Sequence, residues 1–277
     1  MRDHQPRLAD RFGTPRASSI INFVGLFDTV SSYGGEKYQK VSGQIYNNLR
    51  HKSFDDDVKE LHLAIGGHAR QVVQLAAADE YRKNFASTNI RSSVLAGVGL
   101  EVRLPGVHSD IGGSYEEHKV ETRWVTAPEV ARLVNEGWYA RRQLVPQGGW
   151  WLEGVRALTH VYQLLPLDIM RTLAQQGGMQ FKPFTGANKD YAVPPHLQKV
   201  GAQMKAFVLA RPGPVSQHPY EPATYELPAD ERWVRREYLH RSAVKGEFST
   251  ADLTMAGRYV KHLPERQIFS DAPQPVK

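Results

Sequence analysis

The spacing of apolar positions changes several times along this chain, and each change predicts an element. Ile20–Phe27, IINFVGLF, is almost continuously apolar and rich in β-formers. A strand buried on both faces of a parallel sheet reads this way. The run stops at Asp28 and gives way to a Gly/Ser-rich loop. Between His68 and Asn84, Val72, Leu75, Ala76 and Asp79 fall at helical spacing, which predicts a helix. Val98, Leu100, Val102 and Leu104 alternate with Gly99, Glu101 and Arg103, which predicts a strand ending at Pro105-Gly106.

Thr126 opens the next helix as a cap, with Pro128 just inside and Glu129 in the capping-box position. Val130, Leu133, Val134 and Trp138 form its apolar stripe. Val155–Gln175 is predicted as a further amphipathic helix, with Leu158, Val161, Leu165, Ile169 and Leu173 on one face. Ala202–Ala210 reads as a strand. Arg211–Pro228 is Pro-rich, and a basic helix follows over about Asp230–Arg241. Strands separated by helical stretches indicate an α/β fold with a mostly parallel sheet. The expected organisation is a loose segment 1–19, an α/β domain 20–210 with a helical insertion at about 124–177, and a C-terminal segment 211–277.

Composition narrows the function classes. Of 277 residues, 41% are hydrophobic and 23% charged, enough for a core and ordinary for a soluble protein. No apolar run approaches the roughly 18 residues of a membrane span. The first residues lack the apolar stretch of a secretory signal, which places the chain in the cytoplasm unless a signal-independent machine exports it. The net charge of +6 is spread out, so a nucleic-acid partner is not indicated. The absence of cysteine excludes disulfides, thiolate metal sites and cysteine nucleophiles. His62 and His68 are not spaced as an H-E-x-x-H zinc pair, and no nucleotide-binding glycine motif occurs. No metal or cofactor is expected.

Two residues stand where a hydrolase places its acid and base. Asp28 closes a predicted buried strand, at the carboxyl end where open α/β sheets build their sites. A carboxylate there accepts an imidazole N–H; equally, it caps the turn that follows. His108 follows the second strand across Pro105-Gly106, although a lone loop histidine is commonly structural. Asp110 either secures the loop before Gly112-Gly113 or supports the histidine. His240 is the reserve base. Ser109 and Ser114 are poor nucleophiles by position, and no G-x-S-x-G elbow occurs. An elbow, its helix and a return loop need roughly 30 residues, whereas nineteen precede Ile20 and they carry two prolines. The nucleophile strand is therefore expected to be absent from this chain. Trp150 and Trp151, in a glycine-flanked loop, suit either a membrane surface or a partly buried core.

INFVGLFDTVSSYG, HLAIGGHARQVVQLAAADEYRKNF and LEVRLPGVHSDIGGSY, in that order, resemble the Tle1-like catalytic domain of type VI secretion phospholipase effectors. EYLHRSA resembles a late segment of the same family. The resemblance implies an α/β-hydrolase fold, incomplete at the N-terminus, and a Ser-Asp-His triad that cleaves phospholipid acyl esters. The family aspartate falls on Asp28 and the family histidine on His108, while the family GFSRG-type elbow has no counterpart here. It also implies a phospholipid membrane as substrate, a secretion spike protein and an immunity protein as partners, and delivery to the periplasm of a target cell. A separate chain would supply the nucleophile segment. The alternative is a non-catalytic scaffold that binds lipid or a secretion or immunity partner.

Overall fold

The structure is a computed structural model and describes residues 21–30, 63–66, 68–82, 85–211, 220–241, 252–253, 259–260, 266 and 268–272. His62 and the segment 1–19 lie outside them. In chain order the main elements are β1 (Val24–Phe27), β2 (Val72–Ala77), β3 (Ser87–Thr88), α1 (Arg91–Leu95), β4 (Gly99–Leu104) and α2 (His108–Gly112). Then come β5 (Lys119–Thr126), α3 (Val130–Asn135), β6 (Leu144–Gly148), β7 (Trp151–Leu158), α4 (Leu164–Gln176), α5 (Gln198–Leu209), β8 (Ala223–Thr224) and α6 (Trp233–Glu237). Short strands β9 (Asp252–Leu253), β10 (Tyr259–Val260) and β11 (Ile268–Phe269) follow.

The central sheet has the order β1-β2-β4-β8 and every pair in it is parallel. The α/β class expected from the sequence is therefore what the chain adopts. The helix expected over His68–Asn84 is instead the central strand β2. All six of its residues are buried. Val73, Leu75 and Ala77 enter one core with α4, while Val72 enters a second core with Ala69, Ile90 and Val94 on the other face. A short apolar run with both faces covered fits either period, and β-branched Val72-Val73 with two sheet neighbours favours the strand. Full burial of Val72, Val73 and Leu75 contributes about 1.5–3 kcal/mol each.

Two further expectations are corrected. Ala202–Ala210 is the last part of helix α5 and its C-cap, Ala210; in this helix Val200, Met204 and Val208 are buried at intervals of four. Its Gln, Lys, Ala and Met are strong helix formers, which an apolar count does not weigh. Val155–Gln175 is not one helix. It is the end of strand β7, a 3-10 turn over His160–Gln163 and then α4. The stretch expected as a helical insertion thus contains an antiparallel sheet of order β5-β7-β6. Pro146 is tolerated because β6 is an edge of that sheet. The cap at Thr126 is as read: Glu129 accepts from the Thr126 backbone N–H at 2.9 Å and from its hydroxyl. The basic helix expected over about Asp230–Arg241 is shorter: a 3-10 turn over Ala229–Glu231 leads into α6, which ends at Glu237.

A buried ion pair fastens this sheet to the C-terminal segment. Arg156 on β7 is fully buried and pairs with Glu121 on β5. Its second nitrogen donates to the Arg235 carbonyl on α6 at 2.8 Å. Glu121 also accepts the Arg241 backbone N–H at 3.0 Å. Burial disfavours the charged form of Glu121, but Arg156 and Arg123 outweigh it and hold its pKa below the ordinary value. Removing one partner of a buried pair leaves an uncompensated charge, so Arg156→Met is expected to destabilise the fold by about 3–5 kcal/mol. Urea unfolding measures this, and adding Glu121→Met should recover most of the loss.

Candidate active site

Asp28 follows the last residue of β1 and is fully buried. Its φ of 44° lies in the left-handed region, which aspartate enters more readily than most side chains but at a cost. Several contacts hold it there. Its backbone N–H donates to Leu75 at 2.8 Å, and its Oδ1 accepts the Ala77 N–H at 2.8 Å. The next residue, Thr29, donates through its hydroxyl to the Thr88 carbonyl at 2.8 Å, and accepts the Thr88 N–H at 2.9 Å.

His108 reaches the same point from β4. Pro105-Gly106 turns the chain, and α2 begins at His108. Gly106 has φ 118°, and a side chain there would come within 2.8 Å of the Asp110 Cβ, so the turn requires glycine. The Tyr162 hydroxyl donates to the Pro105 carbonyl at 2.7 Å. The His108 backbone N–H donates to Glu80 at 3.2 Å, and Glu80 is itself held by Arg82 at 2.7 Å. Phe85 meets the imidazole edge-on at 5.2 Å.

The outcome is a 2.8 Å hydrogen bond between His108 Nδ1 and Asp28 Oδ2. Arg266 closes the far side of the carboxylate with both guanidinium Nη atoms, Nη2 at 2.8 Å from Oδ2. Pairing of β11 with β3 delivers it, and its Nε donates to the Phe85 carbonyl at 2.8 Å. Burial alone would raise the Asp28 pKa. The His108 hydrogen bond and the Arg266 charge overcome that, and bring it to about 2. An ionised carboxylate can only accept hydrogen bonds, so Nδ1 carries a proton, and the tautomer this selects is the one that offers an Nε2 lone pair. The His108 side chain retains 31% exposure, enough for a reacting group to approach.

Asp110 takes the other role weighed for it. Its Oδ2 accepts the Val107 and His240 backbone N–H groups, each at 3.0 Å, and its Oδ1 binds His240 Nδ1 at 2.8 Å. His240 is 5% exposed and stacks on Tyr115, with ring centroids 3.3 Å apart. This second Asp–His pair is closed to solvent and ties the C-terminal segment to the helix that carries His108. Ser109 leaves the same helix about 100° away from His108. Ser114 lies two residues beyond the helix and is exposed. His68 is exposed, and no group of three or more His, Cys, Asp or Glu that could hold a metal occurs among the described residues. Arg266 and Glu80 were not foreseen. Arg266 lies in a polar tail with no motif, and Glu80 falls within the stretch whose spacing predicts a helix.

Residues 4–133 match the family model described as the type VI secretion phospholipase effector Tle1-like catalytic domain. Over these residues the chain is similar to that family. The match holds Asp28, His108 and Asp110; Arg266 and His240 lie beyond it. Among solved structures the chain is similar to the Tle1 effector bound to the VgrG spike of the type 6 secretion system, with a TM-score of 0.51 and 19% identity. That similarity covers 91% of this chain and 58% of the Tle1 chain. No curated protein matches the chain.

The Asp28 carboxylate has its pKa lowered from 3.8 to about 2, so its stabilising effect is present above pH 4 and disappears as the pH falls through about 2. The effect is on the order of 2 kcal/mol. Asp28→Asn should therefore be less stable than the wild type at pH 7 by about that amount, with the gap narrowing towards pH 2. Urea midpoints across that range check it.

Proposed function

We propose that this chain supplies the acid–base pair of a serine esterase that cleaves phospholipid acyl esters. The observation that carries the reading is the Asp28–His108 hydrogen bond at the carboxyl ends of β1 and β4, two parallel strands on either side of β2 in one sheet, with His108 open on its other side. The Tle1-like match over residues 4–133 points to the same chemistry. The serine comes from polypeptide outside these 277 residues, because the sequence holds no G-x-S-x-G.

In this reaction Nε2 of His108 takes the serine proton as the oxygen attacks the acyl carbonyl. The imidazolium then gives that proton to the departing lysophospholipid oxygen. Water, deprotonated by the same nitrogen, attacks the acyl-enzyme and releases the fatty acid and the serine. Asp28 stabilises the imidazolium and keeps the ring oriented throughout. Exposed Trp124 and Trp151 on the β5-β7-β6 sheet, with Trp150 in its β6–β7 turn, suit contact with a lipid interface. By its likeness to Tle1, the complete protein would dock on a secretion spike, be met by an immunity protein and act in the target-cell periplasm.

The purified chain alone should release no fatty acid from phospholipid vesicles. Expressed with the coding segment directly upstream it should do so, and His108→Ala should reduce that release by roughly 10³–10⁴-fold. Turnover by the chain alone, lost in His108→Ala, would contradict the external serine. No turnover in either case would favour the non-catalytic binding scaffold, a reading that the missing elbow also supports.

A further inference from the structure

The strap that carries Arg266 has two anchor points, and one of them is the acid of the candidate site. β3 has Val30 on one side and β11 on the other. The Thr88 N–H donates to the Thr29 carbonyl at 2.9 Å, and the Asn89 N–H donates to the Phe269 carbonyl at 2.9 Å. Beyond β11, buried Asp271 accepts the Ser92 N–H at 2.7 Å and also its hydroxyl. The described residues 266 and 268–272 are thereby held along β3, from Asp28 at one end to α1 at the other.

Arg266 is the end of the strap that meets the site, and its side chain is 9% exposed. Nη1 donates to Asp28 Oδ1 and Nη2 to Oδ2, the latter at 2.8 Å. Nε donates to the Phe85 carbonyl at 2.8 Å, and Nη1 also reaches the Ala77 carbonyl at 3.3 Å. A planar fork of fixed donors can make these contacts together, and an ammonium group cannot. Through them Arg266 touches both neighbours of the His108 ring. Asp28 holds Nδ1, and Phe85 meets the ring edge-on. The Phe85 ring lies in turn under Arg82, whose Cζ is 3.5 Å from its centroid, and Arg82 holds the Glu80 carboxylate that accepts the His108 backbone N–H.

The donors of Asp28 are shared out evenly. Oδ2 accepts from His108 and Arg266, and Oδ1 from Ala77 and Arg266. Without the guanidinium each oxygen would keep a single donor among the described residues, in a buried position where an unpaired charge is costly. The carboxylate is then free to turn or to take up a proton, and either change releases Nδ1. We infer that Arg266 is a positioning residue for His108: by bridging Asp28 and Phe85 it fixes the direction in which the imidazole presents Nε2. Its effect on the ring is a property of the chain as it stands, while its effect on turnover rests on the esterase reading.

The test follows the His108 Nδ1 proton by NMR in the wild type and in Arg266→Ala, with the ring signals of enclosed His240 as a reporter of the fold in the same spectra. Expected are a slowly exchanging His108 signal in the wild type, its loss in the variant, unchanged His240 signals, and return of the His108 signal on adding millimolar ethylguanidinium. Arg266→Lys keeps a charge beside Asp28 without the fork; it covers the case in which Arg266→Ala does not fold, and should weaken the same signal. A His108 signal unchanged in both variants would overturn the inference. So would joint loss of the His108 and His240 signals with no return on adding ethylguanidinium, since Arg266 would then only hold the fold. In the chain expressed with the coding segment directly upstream, Arg266→Ala should lower kcat by about 10²-fold and leave KM unchanged. The expected ring behaviour with no turnover in the wild type would contradict the esterase reading and leave the positioning intact; turnover with the same kcat in Arg266→Ala would contradict the positioning.

Discussion

The Asp28 carboxylate is the point on which the site depends. It lies at the end of β1, accepts from the end of β2, holds the imidazole carried by α2 and is gripped by Arg266 ahead of β11. These groups come from four parts of the chain, and Asp28 and Arg266 are 238 positions apart. A buried carboxylate is costly unless its oxygens are satisfied. Here each oxygen accepts more than one donor, and that satisfaction makes the positive φ at Asp28 tolerable. The same contacts that stabilise the charge also orient His108, so fold and chemistry share one constraint.

The two Asp–His pairs show how environment divides similar groups into different roles. Asp28–His108 has an ionised acid and a histidine open to solvent. Asp110–His240 is enclosed, and burial raises the Asp110 pKa despite its partner. The second pair fastens the segment that α6 and Arg235 connect to Glu121 and Arg156. It therefore steadies α2 from behind while the first pair faces outward. A histidine placed to act as a base needs both effects, since a misplaced base loses its alignment with the reacting oxygen.

Much of this arrangement was legible in the residues. Alternation marked β4, Pro105-Gly106 marked its end, and the Thr126–Glu129 box marked the turn before α3. Asp28 and His108 were identifiable as candidates because each follows a strand. β2 and α5 were misread because short apolar runs carry little period, and their type is settled by what packs on them. Arg266 and the Arg156–Glu121 pair were invisible for another reason: their meaning lies in contacts across tens or hundreds of residues, with no local spacing to reveal them. The half-exposed β1 is informative in the opposite sense. Its sequence promised a neighbour on both sides, and the described chain gives it one.

The most direct measurement is the nitrogen NMR spectrum of the His108 imidazole at neutral pH, in the wild type and in Asp28→Asn. The account predicts a protonated Nδ1 and an unprotonated Nε2 in the wild type, with that preference lost in the variant. A proton on Nε2, or the same tautomer mixture in both proteins, would contradict the claim that Asp28 fixes His108 as a base.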